Sequence, residues 1–254
     1  IDNPKLRFPV DHDVERREKA ALEQAKKFLV ERKDDIAAFI MEPIQGEGGD
    51  NQFRPEFFKA VRQLCDENEM LLIFDEVQTG VGLTGKMWAF QIYGVEPDLF
   101  TYGKKTQVCG FASNDRILDI DENVFTVKSR INSTWGGNLT DMVRSQRYFE
   151  IIDEEKLADN AAKVGAYFLG ELRRFGDQFP NLVSNVRGIG LMAAFDLPSG
   201  NIRDAAIKAM MQSDVMVLAS GHQSIRFRPP LNLSTEEAAE GIRRMEKALK
   251  VLSA

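Results

Sequence analysis

With 254 residues, 43% of them hydrophobic and 28% charged, the chain has the composition of a soluble globular protein with room for one large or two modest domains. A net charge of −6 argues against nucleic acid or an anionic membrane as partner, no apolar run approaches a bilayer span, and no signal peptide opens the chain. Cys65 and Cys109 offer no disulfide framework and suit a reducing, cytoplasmic setting, while His12 and His222 are too isolated for a metal site.

Ile1 to Val10 reads as loop, broken by Pro4 and Pro9. From Asp11 to about Lys33 the positions Val14, Ala21, Leu22, Ala25, Phe28 and Leu29 keep helical spacing, and the face rich in Glu, Lys and Arg should be solvated. Ile36 to Met41 reads as a buried strand that ends at Glu42-Pro43, because proline cannot continue a ladder. Gln45 to Asp50 is then a loop over the sheet edge. Pro55 suits the first turn of a helix to about Asn68, with Phe57, Phe58, Val61 and Leu64 inward. The next strand, Met70 to Phe74, completes a βαβ unit and implies a parallel sheet.

Asp75 and Glu76 follow where that strand should surface. A further short strand from Asp98 to Tyr102 delivers Gly103 and Lys104 to the same carboxyl edge, where open α/β sheets place their ligands. A carboxylate and an amine converging there suit pyridoxal phosphate, whose aldehyde needs a lysine amine for a Schiff base and whose ring nitrogen needs a carboxylate to hold its proton. The plain alternative is a strand-end aspartate beside a solvated lysine. Gly80 to Gly85 matches G-x-G-x-x-G, yet Asp75 and Glu76 would set negative charge beside a pyrophosphate, so a tight loop is the better reading.

Val108 to Ala112 reads as a strand, and Ser129 to Asn138 as a loop. A long amphipathic helix from Asn138 to about Glu154 should link two domains, with residues 1–140 in the first, 141–155 in the link and 156–254 in a small α+β domain. That small domain should hold helical residues to Phe175 and two strands around Arg187-Gly188-Ile189-Gly190. A helix to Met211, a strand Val215 to Leu218 and a strand carrying Arg226 follow, before a last helix opened by the capping pattern Ser234-Thr235-Glu236-Glu237.

Three separate runs occur in one order: Met41-Glu42-Pro43-Ile44-Gln45-Gly46-Glu47-Gly48-Gly49, then Leu72 to Gly80 with Pro97-Asp98 and Gly103-Lys104, then Asn132-Ser133-Thr134-Trp135-Gly136-Gly137-Asn138. Together they resemble the class III (ornithine/GABA-type) aminotransferases over essentially the whole chain. Gly103 to Gly110 and Ile225 to Leu231 are most similar to the branch that acts on the ε-amine of lysine. The resemblance implies a fold-type I α/β architecture, with part of a mainly parallel large domain followed by a small α+β domain. It implies pyridoxal 5'-phosphate as cofactor, Lys104 as the Schiff-base lysine and Asp75 as the ring-nitrogen carboxylate. Val77 would pack on a ring face, and Gln78 would lie by the phenolic oxygen or the substrate.

Thr134 would bind the cofactor phosphate of the neighbouring subunit in a homodimer, or simply satisfy its own turn. Glu47 and Arg226 would select the substrate, with Asn132 beside it, unless the two charges form a fixed pair or none. Lys105 is the alternative to Lys104, although a one-residue shift would turn its amine to the other face. Ornithine, GABA or β-alanine stay open as donors, as does a truncated chain without activity. The resemblance further implies a longer protein whose N-terminal portion supplies a glycine- or serine-rich phosphate cup.

Overall fold

The computed structural model describes residues 1–32, 35–134 and 136–252. Its first half contains α1 (Val14–Glu31), β1 (Ala38–Met41), α2 (Pro55–Glu67), β2 (Leu71–Asp75), α3 (Phe90–Tyr93), β3 (Leu99–Tyr102), β4 (Gly110–Ser113) and α4 (Asp115–Leu118). The second half contains α5 (Leu139–Glu154), α6 (Leu157–Gln178), β5 (Ser184–Ile189), β6 (Met192–Asp196), α7 (Gly200–Met211), β7 (Leu218–Ser220), β8 (Ser224–Phe227) and α8 (Thr235–Leu252).

The first sheet has the order β1-β2-β3-β4, with β1, β2 and β3 parallel and β4 antiparallel to β3. The expected βαβ unit is therefore present. Phe57, Phe58, Val61 and Leu64 of α2 are buried as their spacing predicts, and Phe58 packs edge-on against Phe74 of β2 with ring centroids 5.6 Å apart. Burying one such ring contributes ~1.5–3 kcal/mol. The second sheet, β5-β6-β8-β7, is wholly antiparallel and carries α6, α7 and α8 over a core of its own. At the start of α8 the Ser234 and Glu237 pattern closes reciprocally: the Ser234 N–H donates to Glu237 at 2.9 Å and the Glu237 N–H donates to Ser234 Oγ at 3.1 Å.

Several local expectations are corrected. β1 is an edge strand rather than a buried one, and Ile40 is 63% exposed. On α1 the buried stripe runs Val14, Glu18, Ala21, Ala25, Leu29, which leaves Phe28 outside; Lys33, the expected helix end, lies outside the described residues. Glu18 departs from its solvated face because Arg54 reaches it from 36 residues away, at 2.7 Å. Val215 to Val217 do not pair, and the strand begins at Leu218. Cys109 precedes β4 and is exposed.

The two halves interlock through the loops that leave β1 and β2. Ile44 and Leu83 are buried within the second core, and the Leu191 N–H donates to the Leu83 carbonyl at 2.9 Å. Gly190, at φ +58°, lies so close that an added Cβ would stand 2.6 Å from the Leu83 carbonyl oxygen. No other residue type fits that contact without displacing the loop. This loop is Gly80 to Gly85, which forms turns with no helix directly after it, so it is not a dinucleotide cradle.

Asp98 fastens β2 to β3. It accepts the Leu72 N–H at 2.7 Å and pairs with Arg62 at 2.9 Å and Arg116 at 3.3 Å. Burial opposes its charge, yet the Leu72 N–H and the two guanidinium groups hold its carboxyl below the ordinary aspartate range. Asp98→Asn removes the buried carboxylate that Arg62 and Arg116 share, leaving both only the exposed Asp66, and is expected to cost about 3 kcal/mol of stability, read from the midpoint of chemical denaturation at unchanged slope.

Candidate active site

The carboxyl ends of β2 and β3 face the second sheet across a cavity of about 570 Å³. Gln78, Lys104, Lys105, Tyr148 and Arg228 line it, with Ile151, Ile152 and Leu157 supplying an apolar wall. β3 ends at Tyr102, and extended Gly103 leads into a single 3₁₀ turn at Lys104–Thr106, where Lys104 itself has φ +52°. That left-handed backbone is uncommon for a lysine and turns two successive amines toward one cavity. Lys104 is exposed, whereas Lys105 is half-buried and donates to the Gln78 carbonyl at 2.6 Å. Burial first, then the Arg228 and Lys104 charges, push the Lys105 ammonium down to about 8.

Asp75 is the last residue of β2 and pairs in register with Thr101 of β3, two residues before Gly103. Its carboxylate accepts the Val77 N–H at 3.0 Å, an arrangement that turns the chain into the Val77-Gln78 loop. The Val77 side chain reaches the Gly103 position, and the Gln78 side chain lies directly against Gly46 where a Cβ would collide with it. Glu42, at the end of β1, accepts the Gly46 N–H at 2.9 Å; burial pushes its carboxyl up, and it feels both the Asp75 and the Lys104 charges. Asp75 does not line the cavity that holds the lysines.

Glu47 and Arg226 meet, with Arg226 Nη2 2.6 Å from Glu47 Oε1. The Arg226 side chain is largely buried, and its Nε and Nη1 atoms have no hydrogen-bond partner among the described residues. It lines a neighbouring cavity of about 380 Å³ that shares Arg228, Pro229 and Pro230 with the first. The Glu47 loop is fixed from behind: Ser220 Oγ donates to the Gly46 carbonyl at 2.8 Å, the Gly221 N–H to the Glu47 carbonyl at 2.9 Å, and Arg187 to the carbonyls of Gly49 and Asp50.

Asp50 is held by Arg228 in a two-pronged pair, at 2.7 and 2.5 Å. Burial pushes its carboxyl up while Arg228 pulls it down. Asn132 and Thr134 sit in the exposed loop before α5, line neither cavity, and make no hydrogen bond to another described residue; Trp135 lies outside the described residues. The sequence reading assigned no part to Arg228, Asp50, Glu42 or Tyr148. The charged Arg226-Phe227-Arg228 alternation, which puts both arginines on one face of a strand, was the available signal.

A primary amine and a carboxylate thus stand at adjoining parallel-strand ends, with two paired arginines opposite. Residues 3–249 match the family "Aminotransferase class-III", and the chain belongs to it. The architecture is accordingly fold-type I, with a parallel sheet in a mixed α/β chain. It is 50% identical over all 254 residues to an L-lysine-epsilon aminotransferase of Mycobacterium bovis and 44% identical over 98% of its length to one of Amycolatopsis lactamdurans. A solved lysine aminotransferase from M. tuberculosis superimposes with a TM-score of 0.96 at 50% identity, covering 99% of this chain and 58% of that one. The chain spans 57% and 56% of the two curated relatives.

The lowered Lys105 amine is open to direct measurement. Because only the neutral amine is acylated, its labelling rate should rise with pH around a midpoint near 8, followed residue by residue in fragment spectra. Lys105→Met should remove that inflection from the Lys104–Lys105 peptide.

Proposed function

We propose that the protein transfers the ε-amino group of L-lysine to 2-oxoglutarate, giving 2-aminoadipate semialdehyde, which cyclises to a six-membered imine, and L-glutamate. The observation that carries this reading is the Glu47–Arg226 pair: a buried guanidinium with two unpartnered nitrogens, covered on one side by an exposed carboxylate. Identities of 42–50% to lysine-epsilon aminotransferases, against 32–34% to 4-aminobutyrate aminotransferases, favour lysine as the donor.

The residues present fit pyridoxal 5'-phosphate. The 570 Å³ cavity is of ligand size, Lys104 and Lys105 line it, and a carboxylate ends the adjoining strand. When bound, that cofactor supplies an aldehyde to take up the amino group and a ring to accept the electrons of the broken C–H bond. Lys104 would provide the amine that holds the group and would carry the proton away from the substrate carbon. Asp75 would hold the proton of the ring nitrogen, and Val77 and Gln78 would help to hold the ring.

Residues 1–140 belong to the cofactor-binding domain, 141–155 to a linking helix and 156–254 to the small domain. Thr134 serves the phosphate of a neighbouring subunit in a homodimer, and Asn132 lies by the substrate. In support, Leu139, Met142 and Val143 form an exposed apolar patch on α5 beside the Thr134 loop. The relatives named for lysine support a place in lysine metabolism, and the two free cysteines suit a reducing, cytoplasmic setting.

Lysine presents an uncharged chain beside its reacting carbon, whereas 2-oxoglutarate presents a carboxylate there. A permanently free Arg226 suits only the second. Glu47 neutralises it while lysine reacts and swings out when the oxo acid enters, which its exposure allows.

In the full-length protein, Lys104→Ala should abolish transamination together with borohydride-trappable cofactor, and peptide mapping of the wild type should find the label on Lys104. A label on Lys105 would reassign the site. Arg226→Ala should slow the half-reaction with 2-oxoglutarate far more than that with lysine, and Glu47→Ala should do the reverse. Single-turnover rates measure both, and equal losses in the two halves would leave the pair without a switching role.

A further inference from the structure

The Glu47 loop and β8 are joined by two ion pairs of opposite character. Glu47 and Asp50 lie three residues apart in the loop, and Arg226 and Arg228 lie two apart at the end of the strand. The first carboxylate is 72% exposed and touches its arginine through one nitrogen; the second is 2% exposed and grips Arg228 through both terminal nitrogens. Only the first is built to open, since the second could part only by leaving a buried charge unpaired.

Arg228, rather than Arg226, is on the wall that carries Lys104 and Lys105. Its Nε atom is buried and lacks a partner among the described residues. Were its terminal nitrogens free as well, the cavity would present a permanent guanidinium to every substrate, in addition to the one that Glu47 covers. Such a cation would hold a dicarboxylate tightly and repel the protonated end of a diamine chain.

We propose that Asp50 is a specificity-determining residue: by holding Arg228 in a buried two-pronged pair, it withholds a second cation from the Lys104 cavity, so that Arg226 alone answers a substrate carboxylate. Burial of Asp50 beneath Arg187 and the loop makes this neutralisation constant, whereas that of Arg226 is conditional. The proposal rests on the reading of Glu47 and Arg226 as the switching pair.

The test is glutarate binding, measured by titration calorimetry on the full-length protein loaded with pyridoxal phosphate. Asp50→Asn keeps the size of the side chain but removes its charge and one of the two acceptors, leaving the Arg228 charge uncompensated, and it should tighten glutarate by about tenfold or more, the worth of one added charge-assisted hydrogen bond pair. The double variant Asp50→Asn, Arg228→Met should return to the wild-type value. Arg228→Met alone leaves Asp50 buried without its partner, so the double variant, which removes both charges, is the reference for what Arg228 itself contributes.

Glutarate binding in the double variant that falls well below the wild-type value would make Arg228 a carboxylate ligand in its own right and overturn the proposal. Glu47→Ala separates the two readings. If it tightens glutarate while Asp50→Asn does not, the proposal alone fails; if neither does, it falls together with the switch. A purely structural pair would lower the melting temperature of Asp50→Asn without tightening glutarate, and that result also overturns it.

Discussion

The fully buried guanidinium of Arg187 decides how the two halves of the chain meet. Moving such a charge out of water costs several kcal/mol unless every donor is satisfied. Here Nε reaches the Gly49 and Asp50 carbonyls, Nη1 the Asn185 carbonyl at 2.7 Å, and Nη2 Ser224 Oγ at 2.9 Å and the Asp196 carboxylate at 2.9 Å. The partners come from the loop after β1 and from three strands of the second sheet. Satisfying this one side chain therefore fixes the Glu47 loop against β8 and brings carboxylates and arginines from the two halves to one line.

The contrast with Arg226 is informative. Both arginines are largely buried, yet Arg187 has every nitrogen engaged and Arg226 has two that are not. An unpartnered buried donor is costly and persists where something else meets it. The rigid backing of Ser220, Gly221 and Arg187 behind the loop means that a movement of Glu47 need involve its side chain alone. An arginine with every nitrogen engaged and one with two left open, 39 positions apart in sequence, thus meet the same loop, at Gly49 and Asp50 and at Glu47.

The opposite wall is built by strand ends. Parallel strands point their last residues the same way, so Asp75 and Lys104 arrive at one edge without any contact between them being specified. Asp98, anchored by Arg62 and Arg116, keeps β3 in register with β2 and so keeps those two ends level. The left-handed turn at Lys104 then brings Lys105 into the same cavity, where its hydrogen bond to Gln78 ties the lysine turn to the loop after β2.

Local pattern was enough for much of this. The 3.6-residue spacing of Phe57, Phe58, Val61 and Leu64 determined α2, the Ser234 and Glu237 pair determined the start of α8, and two short apolar runs ending in Asp75 and Lys104 determined the sheet edge, because each depends on residues a few positions apart. Burial of Glu18, exposure of Phe28 and Ile40, and the late start of β7 were decided by what packs from elsewhere. The pairing of Asp50 with Arg228, 178 residues apart, and of Glu47 with its neighbour Arg226 could not be told apart by reading along the chain. Two acids in one loop and two arginines in one strand allow either assignment by charge alone. Only the tertiary approach of the loop, set by the hydrogen bonds of Arg187, selects which carboxylate is buried and which stays exposed.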